Sequence, residues 1–529
     1  MSWLRKFSVL YHTLRYLKPV QIYYQLWYRI KAPFIRKFAY SSYFTHNIYP
    51  LKFNNSSLIV FNGKINGNGF FTFLNLSHCF PQSVDWNFMD LGRLWNYNLQ
   101  YFDYLFDPLQ EETYKHSLIE DFSAKLLNHE IKPEPYPVSL RIVNWILYFS
   151  QSGYTSPIFE KALKFQIDYL ENNLEYHILA NHLLENLLSL SIASVCLKDN
   201  YLRDNIFLKL KVQLVEQILD DGGHYECSPM YHEIILSKLL VLVEVLQKND
   251  HTNTHLLFLE KTASKMLGWL IAFCFKDETY AFVNDSAKGI SPGLGILKNA
   301  AKNLGVSPAQ TTLKDCGYRK INKGDYEILV DTGNIKPNYQ PGHAHSDALN
   351  FCIYYKGAPL IVDTGTSTYD LNKTRKEERS TAAHNTVLYN DLEPTQTWGA
   401  FRVGKRALVS IIIDEKNTLE AQHNGYKSYG IIHNRNFFFE ENEIIIKDYL
   451  FCNCSNTGQA YIHFDHACEK PIQSGNTVTI SDKCNILFEN YVEIETLTYK
   501  HANGFNQFKS AYYLKISFID KLVTKIRLY

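Results

Sequence analysis

A chain of 529 residues exceeds what one hydrophobic core usually supports, so about two or three domains are expected. Its 46% apolar and 15% aromatic content is ample for packed cores, while a formal net charge of +1 gives no reason to expect a nucleic acid or a strongly anionic partner. The 37 Tyr and 33 Phe exceed what packing alone suggests; most belong in cores, but surface Tyr and Trp can also stack on flat faces such as sugar rings.

The first thirty residues, MSWLRKFSVLYHTLRYLKPVQIYYQLWYRI, are amphipathic and basic. Arg5, Lys6, His12, Arg15 and Lys18 interrupt any apolar run long enough for a signal peptide or a membrane span, so no stable membrane insertion is expected and the compartment defaults to the cytoplasm, with periplasm or cell surface open. An interfacial role for this helix is the alternative. From about residue 95 to 280 apolar residues recur at helical spacing, in PVSLRIVNWILYFSQ, IFEKALKFQIDYLENNL, NHLLENLLSLSIASVCL, YLRDNIFLKLKVQLVEQIL, YHEIILSKLLVLVEVLQK and HLLFLEKTASKMLGWLIAF. Helices of similar length joined by short polar turns predict stacked helical hairpins. The Gly- and Pro-bearing stretch SAKGISPGLGILKNAAKNLGVSPAQ reads as a connector. From about residue 317 the period becomes two, in YEILVDTG, ALNFCIYYKG, RALVSIIIDE, NRNFFFEENEIIIKDYLF and AYYLKISFID, which predicts antiparallel strands after the helices. The ten cysteines are scattered, many in apolar runs, as reduced buried thiols are; Cys452 and Cys454 form a lone CxC without the second pair that a zinc knuckle needs.

Polar residues interrupt these patterns at a few places. In ANHLLENLLSL, Asn181, His182 and Glu185 share one face at the start of an apolar helix, either as a cap with core-edge residues or as functional groups. In DGGHYECSPMYHEIILSKLL, Asp221-Gly222-Gly223 is a turn and Pro229 a helix start, which puts Tyr231 and His232 in a first turn, where the helix dipole favours a phenolate. GHAHSDALNF precedes a strand pattern; extended backwards, that pattern places His343 and His345 on one face. Arg141, Asn144 and Trp145 share a helix in PYPVSLRIVNW and suit either a carboxylate-binding, sugar-stacking role or core packing. Trp398, Arg402 and Arg406 in QTWGAFRVGKRA, and Arg379, are candidates for a cleft wall or for exposed strand positions. His463, Asp465 and His466 resemble a ligand set by type, but strand alternation splits His463 from His466, so they read as structural.

NHLLEN, DGGHYECSPMYH, GHAHSDALNF, APLIVDTGT and RSTAAHNTV, in this order, resemble the heparinase II/III-like family of polysaccharide lyases and its alginate-lyase relatives, over roughly residues 85 to 440. The resemblance implies an α+β multidomain chain: an N-terminal extension over 1–85, an incomplete (α/α) toroid of helical hairpins over 86–316, and an antiparallel β-sandwich over 317–529, with a glycan cleft between the last two. It also implies β-elimination at a uronic acid of an acidic polysaccharide. Removing the C5 proton beside a carboxylate requires that carboxylate to be neutralised by donors or a cation. The resemblance gives Asn181 and His182 or His343 that task, and Tyr231 acid and base work, with its pKa lowered by burial beside cations. His182 becomes the partner base where the C5 proton lies on the other face, with Glu185 orienting it. Glu185, Arg141, Asn144, Trp145, His232, Arg379, Trp398 and Arg402 complete the expected substrate wall. His345, Asp363 and His384 are implied as ligands of a structural Zn²⁺. A silent glycan-binding protein, or a glycoside hydrolase using two of Glu185, Glu226 and Asp285, are the rival readings. The near-neutral charge disfavours a heavily sulfated glycan.

Overall fold

Ser156, Asp199 and Ser228 each precede a helix and accept from the backbone N–H three residues on, so the helical half punctuates itself with side-chain caps. The computed structural model describes residues 3–35, 45–54, 58, 63–67, 69–451 and 457–529; Cys452 and Cys454 lie outside them. Helices Glu112–Leu127, Pro135–Ser152, Pro157–Glu171, Ala180–Leu197, Asn200–Gln217, Pro229–Asn249 and Leu256–Phe273 follow one another through short turns. Ala180–Leu197 is buried along every face except at His182, because apart from Asn181, Glu185 and Asn186 its remaining sequence is apolar or small. It packs against Pro135–Ser152, Asn200–Gln217 and Pro229–Asn249, and so forms the centre of the helical half. The connector is not a plain loop: Leu294–Asn303 within it is helical and buries Leu297, Ala300 and Ala301.

The strands that follow are antiparallel. One sheet orders Tyr318–Lys323, Tyr326–Asp331, Phe351–Tyr355 and Ala358–Ile361; a larger one is built around the long hairpin Cys484–Ala502 and Phe508–Leu528. The four-stranded sheet is buried on both sides. Leu329, Cys352 and Tyr354 join the core of the helical half, whereas Ile328, Val330, Phe351 and Ile353 join a second core with Phe437, Ile446, Leu514 and Ile516 of the large sheet. Side-chain alternation along single strands thus divides them between two cores.

The strand pattern of GHAHSDALNF does not reach its histidines. The strand begins at Phe351, and Gly342–Asn350 is an irregular segment, so the expected shared face of His343 and His345 does not exist. N-terminal helices Trp3–Leu14 and Pro19–Ile35 lie against both halves: Gln21 Nε2 donates to the Ile178 carbonyl, and Trp398 Nε1 donates to Thr13 Oγ1. The eight cysteines among the described residues are free, and all but Cys79 are buried. No helix among the described residues is long and apolar enough to cross a membrane.

Candidate active site

A cleft of about 830 Å³ opens where helix starts of the helical half face the irregular segments of the strand half. Asn181, His182, Tyr231 and His343 all line it. The chain enters helix Ala180–Leu197 through two left-handed residues, Leu179 (φ 66) and Ala180 (φ 55). Such backbone is costly without glycine, and here it turns Asn181 and His182 towards the cleft. Asn181 is buried, and Glu226 receives its backbone N–H (3.1 Å) and its amide nitrogen (3.0 and 2.9 Å to the two carboxylate oxygens). His182 Nδ1 lies 3.0 Å from Glu175 Oε1, and its ring tilts on Tyr136 at 4.5 Å. Burial opposes a charge on His182, but Glu175 outweighs it and holds the imidazole above its usual pKa. The same balance holds Glu175 below the carboxylate range, as an ion pair requires.

Tyr231 sits in the first turn of helix Pro229–Asn249, whose Ser228 cap accepts from the Tyr231 N–H. Its ring centroid is 4.0 Å from that of His343, and its hydroxyl is 3.2 Å from the hydroxyl of Tyr369. Burial, with Tyr369, Asp285 and Glu226 nearby, raises the phenol well above its usual pKa. The expected lowering is therefore corrected: the helix N-terminus does not outweigh burial beside carboxylates, and Tyr231 stands as a neutral phenol.

His343 and His345 meet at a third residue. His343 Nδ1 is 2.8 Å from Asp285 Oδ2, and His345 Nε2 is 2.9 Å from Asp285 Oδ1. Arg375 closes a fork on the same carboxylate at 2.5 and 2.6 Å. Asp285 is fully buried, which works against its charge, but Arg375 and the two imidazoles outweigh burial and hold its pKa well below the usual range. An ionised Asp285 only accepts, so each histidine presents it an N–H. His343 Nε2, on the far side of the ring from Asp285, lies 3.9 Å from Glu226 Oε2.

Asn144 lines the cleft and donates to the Tyr101 carbonyl (2.9 Å), and Arg402 lines it with an exposed side chain. The other expected wall residues are placed elsewhere. Arg141 is fully buried and donates to Gln166 Oε1 and the Gln100 carbonyl. Trp145 is buried among Phe102, Phe122 and Phe159. His232 is buried, taking the His224 N–H on Nδ1 and reaching the Met266 carbonyl with Nε2. Arg379 ties the carbonyls of Ala344, Gly399 and Ala400 together, so it braces the segment carrying His343. Trp398 faces Thr13, and Arg406 lies over Tyr16 at 3.8 Å. Glu185 does not orient His182, whose partner is Glu175; it is buried 3.9 Å from Lys238 Nζ, and burial raises its carboxyl pKa despite that cation. In each case helical or strand spacing gives the shared face, but not what that face meets.

His345 Nδ1 and His384 Nε2 are buried nitrogens without a hydrogen-bond partner, and the two rings stand 5.3 Å apart. Asp363 lies behind His384, accepting from its Nδ1 (2.8 Å), from Asn350 Nδ2 (2.7 Å) and from the Gly365 N–H (3.2 Å). The donor types suit a metal, with Asp363 in the position of a carboxylate that orients a ligating histidine. Among the described residues, the group whose ligand atoms all lie within 4.8 Å of one another is a different one: Asp465, His466 and His501, which can hold a metal ion. Its His501 was not foreseen, and His463 is apart from it, bonded to Asn385. Sequence reading also missed Glu175, Tyr369 and Arg375, and took Glu226 and Asp285 only as hydrolase carboxylates. No spacing rule links Asp285 to His343, 58 positions away.

A helical half whose helix starts face irregular segments of an antiparallel strand half, with histidine, tyrosine, asparagine and carboxylates at the junction, defines a protein with a polar cleft between its two halves. Two family models place it further: "Heparinase II/III N-terminus" matches residues 152–313 and "Heparinase II/III-like, C-terminal" matches residues 306–512. The chain belongs to the heparinase II/III-like family. Among curated proteins no sequence match is found. Similar solved structures include a heparinase III, with a TM-score of 0.67 and 15% identity over 96% of this chain and 91% of that one. A heparan sulfate lyase mutant from Pedobacter heparinus aligns with a TM-score of 0.58 and 16% identity, over 91% and 84% of the two chains. A chondroitin AC lyase from Streptomyces coelicolor A3 aligns at 0.50 and 8% identity, over 82% and 74%. Identities this low show a shared fold.

Proposed function

We infer that this chain is a polysaccharide lyase that cleaves a uronic-acid-containing glycan by β-elimination, in a cleft between an (α/α) toroid and an antiparallel β-sandwich. The observation that carries the reading is the tilted contact of Tyr231 with His343, ring centroids 4.0 Å apart, in a cleft shared with Asn181 and His182. The phenol, neutral when buried, donates a proton to the O4 leaving group, and His343, backed by Asp285, takes the C5 proton or neutralises the carboxylate through Nε2. Asn181, oriented by Glu226, and His182, held protonated by Glu175, are the remaining donors to the uronate, and they matter most as negative charge moves onto it. The solved lyases of heparan sulfate and chondroitin that share the fold support an acidic polysaccharide as substrate.

The hydrolase reading loses its carboxylate pair, because Asp285 and Glu226 both converge on His343 instead of facing each other across a sugar. For a structural Zn²⁺, His345 Nδ1 and His384 Nε2 supply the orphaned nitrogens, with Asp363 orienting His384; the ion would pin the segment that carries His343. The test is incubation of the purified chain with a panel of uronate glycans. Appearance of the ultraviolet-absorbing unsaturated uronate at the new non-reducing end is the expected result. New reducing ends without that chromophore would mean hydrolysis, and binding without cleavage would mean a silent glycan-binding protein.

A further inference from the structure

The two N-terminal helices turn the wrong side outwards. In Pro19–Ile35, the exposed side chains include Ile22, Tyr23, Leu26, Trp27 and Ile30, whose accessibility runs from 44% at Trp27 to 62% at Ile30. Their spacing, i, i+1, i+4, i+5 and i+8, is one stripe of a helix. The opposite stripe is polar and phenolic and faces the protein: Gln21 donates to the Ile178 carbonyl, Tyr24 stacks on Tyr176 at 4.7 Å, and Tyr28 donates to the Leu174 carbonyl. Trp3–Leu14 repeats the arrangement. Thr13 is bonded to Trp398 and the Val403 carbonyl, and Val9 is buried, while Leu10, Tyr11 and Leu14 are exposed. A contiguous apolar and aromatic face of this kind is not what a free surface carries.

We propose that this face docks on the surface of an anionic lipid bilayer, with both helices lying in the interface. Charge selects that occupant. The chain has no Asp or Glu before Asp85, whereas Arg5, Lys6, Arg29 and Lys31 lie on the two helices and Arg15 follows the first; Lys18, in the same turn, is paired with Glu216. A second copy seated on the same face would bring two segments of one sign together, whereas anionic headgroups neutralise them. Tyr and Trp among the exposed residues suit the headgroup boundary, and neither helix is long and apolar enough to leave it for a spanning position. Docking there also aims the cleft. The Glu175–Ile178 segment under Tyr24 and Tyr28, and Arg402 beside Trp398 and Val403, both border the cleft, so the bound protein would hold its mouth at a fixed attitude to the membrane. This inference stands apart from the lyase reading.

The test is flotation of the full chain with vesicles of phosphatidylcholine alone, or of phosphatidylcholine with phosphatidylglycerol, at low and high salt. Binding is expected on the phosphatidylglycerol vesicles only and is expected to fall steeply with salt, since exposed charges are screened beyond roughly 10 Å at 0.1 M. Leu26→Glu with Ile30→Glu is expected to weaken it at least about tenfold, because each side chain withdrawn from water contributes about that factor. Trp27→Phe, which keeps the surface apolar and the fold intact, is expected to retain binding and lose part of the tryptophan quenching by brominated lipid. Three results would overturn the proposal: no binding to phosphatidylglycerol vesicles, unchanged binding by the double variant, or a wild-type dimer that the double variant converts to monomer.

Discussion

Asp285 holds His343 and His345 on separate oxygens of one carboxylate, at 2.8 and 2.9 Å, so two histidines with unrelated surroundings share a single anchor. His343 faces the cleft from that anchor, whereas His345 is fully buried. The Arg375 fork supplies the positive charge that lets the buried carboxylate stay ionised.

Replacing that anchor tests the arrangement. Asp285→Asn leaves the Arg375 guanidinium buried without its carboxylate, and breaking a buried pair from one side costs about 3–5 kcal/mol. A clear fall in melting temperature is expected, together with lost activity. A variant that melts like the wild type would mean that Arg375 finds another acceptor and that the fork is incidental.

Tyr231→Phe removes one hydroxyl whose partner is another hydroxyl, that of Tyr369. The fold and glycan binding are expected to survive, while kcat falls by at least about 10²-fold. Near-normal turnover would remove Tyr231 from the acid and base roles.

Periodicity alone makes the order of helices and strands legible, because a helix of period 3.6 and a strand of period two leave different marks whatever they pack against. The start of the strand at Phe351 was misplaced, since His343 and His345 alternate as strand residues do while their carboxylate partner comes from a distant segment. Asn181, His182, Tyr231 and His343 stood out because polar residues at helix starts and before a strand are conspicuous. Arg141 and Trp145 stood out for the same reason but face the helical core, and no property of a single helix tells which of its neighbours is solvent.

The pair of His182 and Glu175 makes a signed pH test. The His182 pKa is raised in the folded chain, so its share of stability is fully present below the usual value of about 6.5 and is lost as pH rises through the raised one. Glu175 is lowered, so its share is present above the usual carboxylate value and is lost as pH falls through the lowered one. Glu175→Gln is expected to flatten the neutral-to-alkaline part of the stability profile and to move the alkaline limb of activity to lower pH. The limb is followed by turnover against pH; one that does not move would separate His182 protonation from catalysis.

Metal content separates the two neighbouring histidines. Purified protein is expected to carry about one zinc per chain at the His345 and His384 nitrogens. His345→Ala is expected to lose it and to melt lower, because an ion bound only by the folded state stabilises that state. His343→Ala is expected to keep the metal and lose turnover. Zinc retained by the His345 variant and lost on replacing His501 would move the ion to the group formed by Asp465, His466 and His501.

The four-stranded sheet has a thermodynamic consequence. Within Phe351–Tyr355, Phe351 and Ile353 belong to one core while Cys352 and Tyr354 belong to the other, so the same backbone is the wall of both. Melting either half exposes the wall of its neighbour. The chain is therefore built to lose its two cores in one cooperative step, although its length and its change of periodicity suggest parts that would fold independently.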